Sequence, residues 1–163
     1  MKTYLDLNMN YKGGDWYINQ RNINSLDGCP NHIAGDFNCY ANNNTSLIGG
    51  PQQVDGDYNC SRNALVDLIG WASHIGGELL FYSNNITSLV GIHKIIKSCK
   101  EIWFDDDITE GGIGLLLIAN LAAISANCEP FEIIEQYLGT GTNGMMECSK
   151  ELIAKGYATY AKL

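Results

Sequence analysis

The sequence predicts an α/β repeat fold: a solenoid with a parallel sheet, followed by a helical C-terminal segment. Two columns of residues support this prediction, because each recurs every 21 residues within the repeat region, which extends from Gly14 to about Phe104. These are the leucines Leu26, Leu47, Leu68 and Leu89 and the glycines Gly28, Gly49, Gly70 and Gly91. Columns that stay in register over several periods are typical of stacked structural repeats.

Each repeat is expected to contribute one short strand. In each repeat, apolar and polar positions alternate over a short segment, as in a half-buried strand. A glycine precedes this segment and an asparagine follows it closely. The segments are Asp15–Ile18, Asp36–Cys39, Asp57–Cys60 and Glu78–Phe81. Parallel stacking of these strands predicts one continuous sheet along the solenoid.

Further apolar columns are predicted to face the core. They are Trp16, Phe37, Tyr58 and Leu79; then Ile18, Cys39, Cys60, Phe81 and Ile102; then Ile33, Val54, Ile75 and Ile96. Because Cys39 and Cys60 share a column with isoleucine and phenylalanine, we interpret them as small buried hydrophobic residues. The chain has six cysteines without Cys-x-x-Cys spacing, and we expect all of them to be reduced.

An asparagine column follows the strands, at Asn42, Asn63 and Asn84, with Arg21 and Asp105 at its two ends. An asparagine at a bend can hydrogen-bond backbone groups that the turn leaves unpaired. We therefore expect these side chains to form hydrogen bonds along the stack.

The pattern Leu79-x-Phe81-x-x-Asn84-x-Ile86-x-x-Leu89 resembles the leucine-rich repeat, whose usual periods include 21 residues. The segment Ser46–Cys60, with the pattern Ser-Leu-x-Gly-x-Pro-x-x-Val-x-Gly-x-Tyr-x-Cys, is similar to short repeat proteins of tailed bacteriophages. These resemblances imply a leucine-rich-repeat-like solenoid, a viral source and an intracellular partner in the bacterial host. They carry no catalytic residue over to this chain.

A change in composition after Phe104 predicts two parts. Residues 1–104 are expected to form the solenoid with its N-terminal cap, and residues 105–163 a C-terminal helical cap. The second part begins with capping residues and contains an apolar run, and Pro130 is placed to begin a helix. The predicted helices are Ile113–Ile124, Phe131–Leu138, and Asn143 or Gly144 through Lys155.

The charge distribution argues against direct nucleic-acid binding. The chain has 18 acidic and 10 basic residues, a formal charge of −8, and residues 105–163 hold nine of the acidic and three of the basic ones. Nucleic-acid binding depends mainly on lysines and arginines that neutralise phosphates. The N-terminus lacks the apolar segment of a signal peptide and no apolar run is long enough to span a bilayer, so we expect a cytoplasmic protein.

Motifs for catalysis and cofactor binding are weak. Gly139–Gly144 spells a dinucleotide fingerprint, but the motif requires a preceding strand and a helix is predicted there. His32 and His74 share a column two turns apart, too far to bind one metal ion. We expect no catalytic residue, no cofactor and no metal ligand, and a nucleotide-binding enzyme is kept as a third hypothesis.

The outward face of the sheet is the predicted binding site. It combines an acidic column with neighbouring aromatic residues, and the candidates are Asp15, Tyr17, Asp36, Tyr40, Asp57, Glu78, Tyr82 and Trp103. Carboxylates stacked about 4.8 Å apart repel one another, so we expect water, a divalent cation or a basic partner to compensate them. Aromatic residues are enriched at the hot spots of protein interfaces.

The sequence thus favours a non-enzymatic protein-binding module that acts through the outward strand face. Together with the phage resemblance, this implies a protein that binds, and by binding inhibits, a host protein such as one used in defence. The alternative is an acidic nucleic-acid mimic that blocks a nucleic-acid-binding protein through Glu129, Glu132 and Glu135.

Overall fold

The computed structural model describes residues 2–163, and Met1 of the predicted N-terminal cap lies outside them. In chain order the strands are β1 (Trp16–Tyr17), β2 (His32–Ile33), β3 (Phe37–Asn38), β4 (Gln53–Val54), β5 (Tyr58–Asn59), β6 (His74–Ile75), β7 (Glu78–Leu80), β8 (Glu101–Trp103) and β9 (Ala123–Ser125). Every pairing among them is parallel. The large sheet has the order β1-β3-β5-β7-β8-β9 and the small sheet the order β2-β4-β6. The predicted repeat solenoid with a parallel sheet is confirmed.

The helices lie late in the chain. They are α1 (Ile92–Ile95), α2 (Glu129–Glu135) and α3 (Gly141–Ala154), with 3-10 turns at Leu5–Leu7, Ile113–Leu117 and Ala158–Ala161. Pro130 lies in the first turn of α2, where a missing backbone N–H costs nothing. Gly156, with a φ of 90°, follows the end of α3. These two helices form the predicted C-terminal helical cap.

The core contains the predicted inward columns. Of these residues only Trp16, in the first turn, is half-buried, and the rest are buried. Its ring contacts those of Tyr4 and Tyr11, at centroid distances of 6.4 and 5.1 Å, so the N-terminal segment covers the open end of the stack. Cys39 and Cys60 are buried and unpaired, and burial raises the pKa of both thiols. They pack as the small hydrophobic residues that the sequence predicts.

Asn42, Asn63 and Asn84 form a ladder of side-chain hydrogen bonds, which confirms the expectation for this column. Asn42 Nδ2 donates to the carbonyls of Ile18 and Cys39, both at 2.9 Å, and its Oδ1 accepts from the backbone N–H groups of Arg21 and Ile23. Asn63 and Asn84 likewise donate to their own turn and to the preceding one. The Asn ladder therefore pairs backbone groups at each bend.

The repeat register shifts after β7, which corrects the prediction of a constant period. Residue pairs along the first strands are 21 positions apart, as in Trp16↔Phe37, but Leu79 pairs with Ile102, 23 positions on. The extra residues form α1, and Ser98 already pairs with His74, 24 positions away. Lys100 then takes the place of the two glycines Gly76 and Gly77 of the preceding turn, and its backbone N–H donates to the Gly77 carbonyl.

This shift moves several residues to other columns. Because Ser98 pairs with His74, Cys99 and not Ile96 continues the column of Ile33, Val54 and Ile75. Ile102 lies beside Leu79, and Trp103 lies beside Leu80 rather than Tyr82. Phe104 takes the predicted place of Ile102, since its ring stacks on Phe81 with centroids 5.3 Å apart.

The predicted helix Ile113–Ile124 is wrong. Its residues form a 3-10 turn, an extended segment and β9, which adds the last strand to the large sheet by pairing Ile124 with Ile102. Gly111 and Gly112 have φ values of 77° and 111°, and Asn120 adopts a φ of 65°, so left-handed positions interrupt the segment. The run is apolar nearly all round because it forms another buried turn of the solenoid. Strand stacking therefore continues beyond residue 104.

Candidate functional site: the strand face

The strand face is the outward surface of the large sheet, and it contains all eight candidate residues. Strand pairing arranges its side chains in three rows. The acidic row comprises Asp15, Asp36, Asp57, Glu78 and Glu101; the middle row Tyr17, Asn38, Asn59, Leu80 and Trp103; and the third row Asn19, Tyr40, Ser61 and Tyr82. Acidic and aromatic groups thus share one surface, as the sequence predicts, although Trp103 lies in the middle row.

Asp15, Asp36 and Asp57 form a hydrogen-bonded column that we call the Asp ladder. Asp15 Oδ1 accepts the backbone N–H of Asp36 at 3.0 Å, and Asp36 Oδ1 accepts that of Asp57 at 2.9 Å. Asp57 Oδ1 accepts the N–H of Glu78 at 2.8 Å. Hydrogen bonds to a charged acceptor are stronger than neutral ones. Backbone donors, which the recurrence of aspartate in the sequence does not reveal, therefore stabilise these carboxylates.

The glycine before each aspartate makes room for the Asp ladder. At Gly35, Gly56 and Gly77 a β-carbon would collide with the Oδ1 atom of the aspartate one turn earlier. The recurring Gly-Asp and Gly-Glu pairs are therefore a packing requirement, since only glycine lets the carboxylate approach the next backbone so closely.

Glu78 is the acidic group where the Asp ladder ends. Burial, followed by the charges of Asp57 and Glu101, raises the pKa of its carboxyl group. Glu101 in the next strand accepts a hydrogen bond from Ser125 Oγ at 2.9 Å. Glu78, midway along the strand face, is therefore both partly buried and flanked by like charges.

The aromatic residues of the strand face differ in how they are covered. Tyr17 is 49 % exposed, and its hydroxyl group donates to Asp15 Oδ2 at 3.2 Å. Tyr40 is half-buried, and the Arg62 guanidinium lies over its ring, 5.6 Å from the centroid. Trp103, at 39 % exposure, is the most exposed tryptophan, since Trp71 is buried and Trp16 half-buried.

An open groove lies at the C-terminal end of the strand face. It has a volume of about 520 Å³ and is lined by Tyr82, Trp103, Phe104, Asp105, Ile124, Ser125, Ala126, Asn127 and Glu135. We call it the Trp103 groove. Two of its lining residues, Tyr82 and Trp103, are candidates from the sequence, whereas Glu135 reaches it from α2.

No match was found. The chain matches no protein-family model, no curated protein and no solved structure.

Other arrangements with possible chemistry lack the required geometry. Gly139–Gly144 follows α2 and includes the first residues of α3, so a helix and not a strand precedes it. His32 Nε2 lies 2.9 Å from Asp55 Oδ2, whereas His74 Nδ1 lies 2.9 Å from Ser73 Oγ, so the serine and the aspartate contact different histidines. Among residues 2–163, no group of three or more His, Cys, Asp and Glu side chains is placed to hold a metal ion. No helix in the described part of the chain could cross a membrane.

The sequence analysis missed a second exposed surface. Ile48 and Ile69 are each 55 % exposed and Val90 is 40 % exposed, one turn apart and each directly after a core leucine. We call these three residues the aliphatic row. The signal was present in the sequence, because the row repeats every 21 residues. Exposed apolar residues that adjoin one another mark potential interaction sites, so this row competes with the strand face.

Proposed function

We propose that the protein is a non-enzymatic protein-binding module and that a partner protein docks on the strand face. The observation that carries the proposal is Trp103, a large aromatic residue that is 39 % exposed beside an open groove with carboxylates at its border. Tryptophan and tyrosine are enriched among the residues that dominate binding energy at protein interfaces. The aliphatic row contains no aromatic residue.

The charge of the strand face favours a basic partner surface. The acidic row runs along successive strands, and burial, followed by the charges of Asp57 and Glu101 on either side, raises the pKa of Glu78. A positively charged partner would relieve this repulsion and would be steered toward the face by the overall charge of −8.

The biological setting that we propose is the cytoplasm of a bacterial host. The similarity of Ser46–Cys60 to repeat proteins of tailed bacteriophages supports this setting. In that setting the partner is a host protein, and inhibition of a host defence protein is the natural consequence of occupying its surface.

Affinity capture from a bacterial lysate, followed by mass spectrometry, tests the proposal. Tyr40→Ala combined with Tyr82→Ala removes two aromatic side chains of the third row and should abolish capture of the specific partner. The matched control is Ile48→Ser combined with Ile69→Ser on the aliphatic row, which should leave capture intact. Loss of capture in the control alone would move the binding site to the aliphatic row. Circular dichroism confirms that each variant is folded.

The alternative, a nucleic-acid mimic that acts through the C-terminal cap, depends on three glutamates. Glu129 accepts a hydrogen bond from the Tyr157 hydroxyl at 2.7 Å and pairs with Lys155 at 3.3 Å. Glu135 Oε1 accepts the backbone N–H of Ile124 at 3.0 Å. Two of the three carboxylates thus have partners within the chain, and no observation favours this function over the first.

A further inference from the structure

The Trp103 groove combines an apolar floor with an acidic border. Phe104 and Ile124 line it and are only 6 % and 5 % exposed, so packing in the core holds these two apolar side chains in place. Trp103 and Tyr82 supply aromatic rings, and Asp105 supplies a carboxylate. Within residues 2–163, neither lysine nor arginine lines the groove.

The two carboxylates of the groove are held in place by the backbone. Glu135 accepts the N–H of Ile124, and Asp105 accepts the N–H of Ser83. Each of these bonds uses one oxygen and fixes the side chain, which leaves the second oxygen as an acceptor for a ligand. A carboxylate positioned in this way loses little entropy when it binds a cationic group.

The chain itself shows which group an aromatic ring of this face can accept. Arg62 places its guanidinium over the ring of Tyr40, and its backbone N–H donates to the Tyr82 carbonyl at 2.9 Å. Tyr82 lies in the same row as Tyr40. Asp106, however, occupies relative to Tyr82 the position that Arg62 occupies relative to Tyr40, and its side chain is acidic. Tyr40 is thus paired with a guanidinium from its own chain, whereas the corresponding neighbour of Tyr82 is negatively charged.

We propose that the Trp103 groove binds the side chain of an arginine from a basic segment of the partner. The guanidinium plane would stack on Trp103 or Tyr82, and its N–H groups would donate to Asp105 and Glu135. Arginine fits better than lysine because its guanidinium is planar, stacks on aromatic rings and donates several hydrogen bonds in fixed directions. This proposal rests on the proposed function, because the arginine is taken to belong to the partner protein that docks on the strand face.

A direct binding experiment tests this without knowledge of the partner. The 15N-labelled protein is titrated with acetyl-Gly-Ser-Arg-Ser-Gly-amide, and NMR spectra follow the Trp103 indole N–H and the Ile124 amide. Trp103→Phe identifies the indole signal. Matched peptides replace the arginine by citrulline, which has the same shape without the charge, or by lysine. We expect both signals to shift with the arginine peptide, to shift less with the lysine peptide and to stay unchanged with the citrulline peptide.

Variants that remove only one negative charge test whether the peptide-induced NMR shifts arise from binding in the Trp103 groove. Glu135→Gln and Asp105→Asn each keep an oxygen that can accept the existing backbone N–H, so the fold should persist, as a dispersed amide spectrum would show. Each should weaken arginine-peptide binding by about fivefold, in proportion to one lost partly shielded ion pair. Glu132→Gln removes the same charge from the exposed side of α2 and should leave binding unchanged.

Three outcomes would overturn the assignment of arginine to this groove. They are equal shifts with the citrulline peptide, equal affinity for the lysine peptide, or equal weakening by Glu132→Gln. Failure here remains distinguishable from failure of the proposed function. If the strand-face variants abolish capture but the peptide does not bind, only the arginine proposal fails. If the peptide binds the groove but the strand-face variants leave capture intact, the docking face is wrong.

Discussion

The two ends of the strand face differ in the regularity of the repeat and in the groups that contact the acidic row and the aromatic residues. Along β1, β3 and β5 the period is constant, the Asp ladder pairs with backbone donors, and Arg62 covers Tyr40. Along β7, β8 and β9 the period changes to 23 and then 22 residues. There Glu78 has a raised pKa and Trp103 is partly exposed beside a groove.

This difference suggests a division of labour within one sheet. Regular repeats place equivalent residues in contact, so the side chains of the Asp ladder and the Asn ladder bond the backbone of a neighbouring turn. Where the register shifts, that matching ends and side chains remain for an outside partner. We therefore assign stability mainly to the first end and recognition mainly to the second.

The largest expected difference concerns the Asn ladder. Asn42→Ala removes hydrogen bonds to four backbone groups at a buried bend and should lower the free energy of unfolding by about 3 kcal/mol. Asp107 lies 23 positions after Asn84, the spacing between β7 and β8, and is exposed, so Asp107→Ala should cost less than about 0.5 kcal/mol. Urea unfolding measures both. Equal losses would contradict the claim that the regular end is the more tightly bonded one.

The next effect concerns the Asp ladder. Asp36→Ala leaves the Asp57 N–H without its acceptor and should lower the free energy of unfolding by about 1 to 2 kcal/mol. Asp36→Asn keeps an acceptor oxygen, so it should change the free energy by less than about 0.5 kcal/mol. Thermal unfolding of the two variants compares them. If both were equally destabilised, charge rather than the hydrogen bond would explain the ladder.

The smallest effect concerns Glu78. Its pKa is raised in the folded protein, so ionisation disfavours folding, and this cost appears as pH rises through the ordinary glutamate range. Glu78→Gln should therefore increase stability slightly at pH 7, by about 0.5 kcal/mol or less, and should show no gain below about pH 4. Melting temperatures measured across this pH range provide the test. Added salt should shrink the gain, because it screens the repulsion from Asp57 and Glu101.

The sequence predicts most of the solenoid but not its register shift. Alternating strand residues change face with every single step, so a shift of two residues leaves each side chain on the same face. Ile102 and Trp103 therefore point inward and outward under either register, and apolar patterning cannot distinguish the two. The insertion that forms α1 was hidden because Lys100 replaces two glycines and partly restores the spacing.

Other features of the structure cannot be predicted from the sequence pattern alone. A run that is apolar nearly all round, such as Ile113–Ile124, is compatible with a buried helix or with a buried turn and strand. The Asp ladder depends on carboxylate–backbone contacts, whereas the sequence shows only that carboxylates recur. The Trp103 groove also needs Glu135, whose contact with the backbone of Ile124 depends on how α2 packs beside β9.

The most direct test compares two exposed aromatic residues at opposite ends of the strand face. Isothermal titration calorimetry with the captured partner gives the dissociation constant for Trp103→Ala and for Tyr17→Ala. We predict that Trp103→Ala weakens binding by about 30-fold or more, as expected for a hot spot, and that Tyr17→Ala weakens it by less than about fivefold. Equal effects, or a larger effect of Tyr17→Ala, would contradict recognition at the irregular end.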